Sequence, residues 1–185
     1  MRTTAPGQSA LLLLDVVVVL ERRDVEYAVI GALAASIHGV VRASLDADVV
    51  VSLSPSAAGD LERALAAAGF KTALRMGDPD DPIPALLAVS DLFGNRVDLL
   101  VGLRGLEREA FSRVIEVPFQ GATLRIIGRE DFIAMKVFAG GPQDLVDARR
   151  AMESDRQALD RTLLRRLAKG YGSAASRVLE DLLRG

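Results

Sequence analysis

The stretch VIGALAASIHGVVRASLDADVVVSL, Val29 to Leu53, limits what this chain can fold into more than any other segment does. Its second half is short, apolar and rich in β-branched residues, the composition of a buried strand, yet it carries Asp46 and Asp48 one residue apart. In a strand, residues i and i+2 share a face, so both carboxylates point one way while Ala47 and Val49 point into the packing. Two ionised carboxylates at that separation repel each other, and burial deepens the repulsion. A divalent cation between them reverses the sign of that interaction. Mg²⁺ takes hard oxygen ligands, and one or two carboxylates with waters and substrate phosphates satisfy it.

The rest of the chain supplies the setting. Ser9 is placed to cap a helix running to about Arg23, with apolar residues around most of its circumference. EYAVI reads as a short strand broken by Gly31, and ALAASIHG as a short helix closed by Gly39. After the Asp46 strand, Ser54 caps and Pro55 opens a helix through Ala68, which Gly69 stops. GFKTALRM is a strand, and GDPDDP is a loop of acids and prolines. IPALLAVSD and RVDLLVG form a hairpin around Gly94 and Asn95. REAFSR makes a helical turn, and VIEVPFQGATLRII a strand pair around Gln120 and Gly121. From Arg129 the period becomes helical in four successive segments. The class is α+β: a mixed β-sheet flanked by helices (residues 1–128), followed by a C-terminal helical lobe (residues 129–185).

Composition removes several functions. The 185 residues include no cysteine, which excludes disulfides and thiolate metal sites and suits a reducing cytoplasm. His38 is the only histidine, so a multi-histidine metal site is impossible, and its position at a helix end suits packing or capping. A net charge of −2 gives no global footprint for nucleic acid. ALLLLDVVVVL is too short for a bilayer and is interrupted by Asp15, so no membrane association is expected.

NRVDLLV places a third acid, Asp98, in another apolar strand. Three strand-borne carboxylates converging on one point suit a two-metal site for in-line phosphoryl displacement. Upstream, VIGALAA is strand, glycine and helix start, where Gly31 allows close backbone approach and free N–H groups suit phosphate oxygens.

Ile30-Gly31, then Asp46-Ala47-Asp48-Val49, then Val97-Asp98-Leu99 resemble the pattern of the nucleotidyltransferase superfamily that includes polymerase-β-like enzymes. The wording GALAASIHGVVRASLDAD is similar to that of abortive-infection (AbiEii-like) and MenT-like nucleotidyltransferase toxins, and EDFIAMKVFAGGPQDLVDARRA to their helix pair. The resemblance runs from about Tyr27 to Arg150 and implies a nucleotidyltransferase-like fold that moves NMP from an NTP to an acceptor hydroxyl with two Mg²⁺ ions. It implies that Asp46 and Asp48 bind metal and that Asp98 binds metal or accepts the hydroxyl proton. It further implies that Gly31 and Ala32 cradle phosphate, Lys136 contacts the triphosphate and Asp144 orients Lys136 or the nucleotide. Arg42 would neutralise phosphate or brace the carboxylates. Ala32 stands where the family usually has glycine or serine, which removes a hydroxyl and keeps the backbone N–H.

A toxin of this kind would act on tRNA or protein and have a cognate antitoxin. The alternatives are transfer to a small molecule such as an aminoglycoside, and a catalytically weak nucleotide-binding module. Asp78, Asp80 and Asp81 favour a cationic acceptor, while Arg149, Arg150, Arg156, Arg161, Arg165, Arg166 and Lys169 would favour an RNA backbone. Glu153, Asp155 and Asp160 among them equally suit a mixed, solvent-facing helix face; apart from any role, Asp144 reads as an ordinary first-turn acid and Asp147 as its solvent-facing neighbour.

Overall fold

The computed structural model describes residues 1–40 and 44–184; Arg42 lies outside them. Helix α1 (Ser9–Arg22) leads into β1 (Tyr27–Ile30), α2 (Gly31–Ile37) and β2 (Asp46–Val51). Then come α3 (Ala58–Ala67), β3 (Lys71–Met76), β4 (Ala85–Ser90) and β5 (Arg96–Val101). Strands β6 (Ile115–Phe119) and β7 (Ala122–Ile126) precede α4 (Arg129–Ala139), α5 (Pro142–Glu153), α6 (Arg161–Gly170) and α7 (Ser173–Arg184). The seven strands form one mixed sheet in the order β3-β4-β5-β2-β1-β7-β6. The fold is α+β, a mixed sheet flanked by helices, as expected.

β1 and β2 are antiparallel neighbours, β4 and β5 form the expected hairpin, and β2 runs parallel to β5. Centrality in the sheet explains the apolar runs, because Val49, Leu99 and Val97 are fully buried. α1 packs on β2 and β5 and is buried at Leu12, Leu13, Leu14, Val16, Val17 and Leu20, which accounts for a helix apolar over most of its girth. The β-branched run within it is thus held by packing rather than propensity. Among the described residues, no helix is long and apolar enough to cross a membrane.

Two expected caps differ. α1 has Gln8 at its N-cap, and Ser9 is turned inward, where its hydroxyl donates to the Leu45 carbonyl and accepts the Arg96 N–H at 3.0 Å. A tertiary partner outcompetes the cap because Ser9 sits under the entry points of both β2 and β5. Ser54 makes no cap bond either: Pro55–Ala57 form a 3₁₀ turn before α3, and the Ser54 hydroxyl meets that of Ser56.

The C-terminal helices pack on one another around α4. Gly140 closes α4 in the left-handed conformation and Pro142 opens α5, so the GGP sequence makes a sharp corner. A bidentate fork from Arg113 to Asp131, at 2.8 and 2.7 Å, pins the first turn of α4 to the loop before β6.

Candidate active site

Strand register brings the acids together. In the parallel β2–β5 pair, Asp48 stands opposite Asp98 and Asp46 opposite Arg96. All four are partly buried and alternate with buried Ala47, Val49, Val97 and Leu99, so they share one sheet face. Ser9 fastens this end of both strands. Gln8 and Asn95 reinforce it: the Gln8 N–H donates to Asn95 Oδ1 at 2.6 Å, and Asn95 Nδ2 donates to Asp91 Oδ2 at 2.7 Å.

Asp98 carries a cation of the chain's own: Arg96 Nε donates to its Oδ1 at 2.7 Å. That hydrogen bond and the Asp98 charge raise the Arg96 pKa against the opposing effect of burial, with smaller contributions from Asp46 and Asp48. The three acids share a face without closing around one point. Among the described residues, no group of three or more histidine or carboxylate side chains is arranged to hold a metal ion. Asp46, Asp48 and Asp98 thus lie on one face of two adjacent strands and do not form a closed ligand set.

Gly31 explains how Asp48 is accommodated. Its φ is +62°, and a Cβ built there would lie 2.0 Å from Asp48 Oδ2. The carboxylate therefore occupies the space an alanine would fill. Ala32, one residue on, is buried in the start of α2.

A cavity of about 310 Å³ opens beside these groups, lined by Gly31, Asp48, Lys136 and Asp144 together with Leu100, Leu103, Phe132, Met135 and Phe138. Four of the expected site residues thus meet in one hollow; Asp46, Asp98 and Ala32 do not line it. Pro82 and Ile83 close one side, so the loop carrying Asp78, Asp80 and Asp81 runs directly into the wall. Lys136 Nζ contacts Asp144 Oδ1 at 2.7 Å and Asp147 Oδ2 at 3.2 Å. Asp147 is fully buried and also accepts from Gln143 at 2.8 Å, a correction to its expected solvent-facing role. Burial of this carboxylate is tolerated because Lys136 lies across the corner on α4 and supplies the countercharge.

His38 is structural. It is buried, its Nε2 donates to the Ile127 carbonyl at 2.9 Å, and its ring lies 5.2 Å from that of Phe132. Burial holds its pKa below the usual imidazole value, against the raising effect of that hydrogen bond. The basic residues of the helical lobe are partly neutralised: Arg165 pairs with Glu180 at 2.7 Å, and Arg166 pairs with Glu107. Arg96 and Asp147 are the functional candidates that residue patterns alone missed. Arg96 lies two residues before Asp98 and so on its face, and Asp147 lies one helical turn after Asp144.

No protein-family model matches the chain, and no curated protein matches it. Solved structures do. The chain is similar to the antibiotic-resistance factor ANT(2″)-Ia in its solution structure, at 14% identity over 95% of this chain and 97% of that one, with a TM-score of 0.59. It is similar to a putative nucleotidyltransferase from Thermotoga maritima at 14% identity, over 82% and 97% of the two chains, TM-score 0.56. It is also similar to the lincosamide antibiotic adenylyltransferase LnuA at 12% identity, over 83% and 100%, TM-score 0.50. At these identities the likeness is one of fold.

Proposed function

We propose that the protein is a metal-dependent nucleotidyltransferase that moves NMP from an NTP to the hydroxyl of a small molecule. The observation that carries this reading is the register that sets Asp48 beside Asp98 on one face, next to a glycine whose missing side chain makes room for the Asp48 carboxylate.

Asp46, Asp48 and Asp98 offer hard carboxylate oxygens on one face, the donor chemistry that a divalent cation takes, and would have to draw together from the spacing seen here to hold it. Mg²⁺ bound there supplies charge neutralisation at the α-phosphate and a lowered pKa for the acceptor hydroxyl. The chain's own residues do the rest. Asp98 takes the proton of the acceptor hydroxyl as its oxygen bonds to the α-phosphorus, and the bond from that phosphorus to the β-phosphate oxygen breaks. Lys136 faces the departing pyrophosphate, held in place by Asp144 and Asp147. Gly31 and Ala32 offer backbone N–H groups to the phosphates. Leu103, Phe132, Met135 and Phe138 give the hollow an apolar wall against which a base or an acceptor ring can pack. Positioning and charge stabilisation account for most of the catalysis.

Two observations favour a small acceptor. The cavity borders the acidic loop, which suits a cationic molecule, and ANT(2″)-Ia has been crystallised with adenylyl-2″-tobramycin. The helical lobe, in contrast, spends Arg165 and Arg166 on internal acids, leaving less charge for an RNA backbone. The toxin reading, with tRNA or protein as acceptor and an antitoxin partner, rests on the wording around Gly31–Asp48 and Lys136–Asp147. Incubation with α-³²P-labelled NTPs and Mg²⁺ plus tobramycin, lincomycin, total tRNA or a protein extract separates the readings. Label is expected on a small molecule and lost in Asp48→Asn. Label on tRNA or protein overturns the acceptor class. No transfer to any of these, with NTP binding retained, leaves the nucleotide-binding module.

A further inference from the structure

We propose that Arg96 is a built-in counter-cation of the carboxylate face, a positioning residue that holds Asp98 until a divalent ion takes its place and then swings clear. This rests on the metal-dependent reading above and adds a residue to it.

The sheet lays out the case. On the site face, Arg96 stands between Asp46 on β2 and Ser90 on β4, one step along β5 from Asp98. Its guanidinium sits on the face that carries the three carboxylates and is bonded to one of them. Arginine stays charged at any working pH, so the guanidinium does not release the pair by losing its own proton, whereas a competing cation can displace it. The competition is direct, because the oxygen that accepts from Arg96 Nε is one that a metal ion would need. The side chain is free to leave: it is 44% exposed and held to Asp98 by Nε alone, not by a two-pronged fork. Asp98 is 16% exposed, so the acid stays while the arginine moves.

The test is Mn²⁺ binding to the full chain, read by electron paramagnetic resonance, for wild type, Arg96→Met, Arg96→Gln and Asp48→Asn. Both Arg96 variants are expected to bind Mn²⁺ about tenfold more tightly than wild type. In wild type, the Arg96 Nε–H resonance is expected to be protected from exchange and to lose that protection as Mg²⁺ is added. Equal or weaker Mn²⁺ binding in the Arg96 variants, or an Nε–H signal unmoved by saturating Mg²⁺, overturns the proposal. If Mn²⁺ binding is lost in Asp48→Asn yet equal in wild type and the Arg96 variants, only the role of Arg96 falls. If none of the four proteins binds Mn²⁺, the metal-dependent reading falls with it.

Discussion

Replacing Gly31 with alanine probes the site where its geometry is tightest. Two costs add. The first is conformational: at φ +62° an L-residue sits in the left-handed region, at about 1–2 kcal/mol. The second is steric. The new methyl would lie 2.0 Å from Asp48 Oδ2, 2.8 Å from its Cγ and 3.0 Å from its Cβ, so turning the carboxylate alone does not clear it. The whole Asp48 side chain has to leave its rotamer, at about 0.5–1.5 kcal/mol, or the Ile30–Asp48 pairing of β1 with β2 has to shift. The sum is about 1.5–3.5 kcal/mol. Gly94 supplies the control, because its φ is +80° and nothing lies within 4 Å of its absent Cβ. Gly94→Ala therefore bears the first cost only. Urea denaturation of both variants is expected to show Gly31→Ala less stable by about 1 kcal/mol, with Mn²⁺ affinity lowered in Gly31→Ala and unchanged in Gly94→Ala. Equal stabilities, or undiminished Mn²⁺ binding in Gly31→Ala, would refute the idea that Gly31 exists to seat Asp48.

Lys136→Met takes the ammonium from fully buried Asp147, which keeps its bond from Gln143. A loss of about 3 kcal/mol in urea denaturation is expected, and Asp147→Asn introduced on top should recover part of it; no recovery would mean that the loss comes from packing. Asp91 provides a pH test: burial acts to raise its pKa, but hydrogen bonds from Asn95, Thr3 and Phe93 outweigh it and hold the carboxyl below its usual value. A depressed folded pKa means that the stabilisation is complete above the unfolded carboxylate value of about 4 and is lost as pH falls through the folded one. The stability gap between wild type and Asp91→Asn should thus be constant from pH 7 to 5 and close below 4; a gap that widens on acidification would reverse the sign.

Elements were legible because each is a local pattern, as the match of the Asp46 strand, the Gly94 hairpin and the four C-terminal helices shows. What joins them was not. The non-sequential order β5-β2-β1-β7 and the parallel pairing of β2 with β5 arise from packing across α1, which no local period records. Ser9 shows the same limit: as an isolated N-terminal serine it is a cap, and only the fold reveals the better partners Leu45 and Arg96. Asp147 was indistinguishable from a surface acid until the Gly140–Pro142 corner folded Lys136 over it. The candidate site is in this sense a property of register. Slip β5 by one residue against β2 and Val97 or Leu99 stands beside Asp48, while Asp98 and Arg96 turn to the buried face. The bonds from Ser9 to Leu45 and Arg96, and from Gln8 to Asn95, fasten both strands to the same helix end, so α1 is what makes that slip costly.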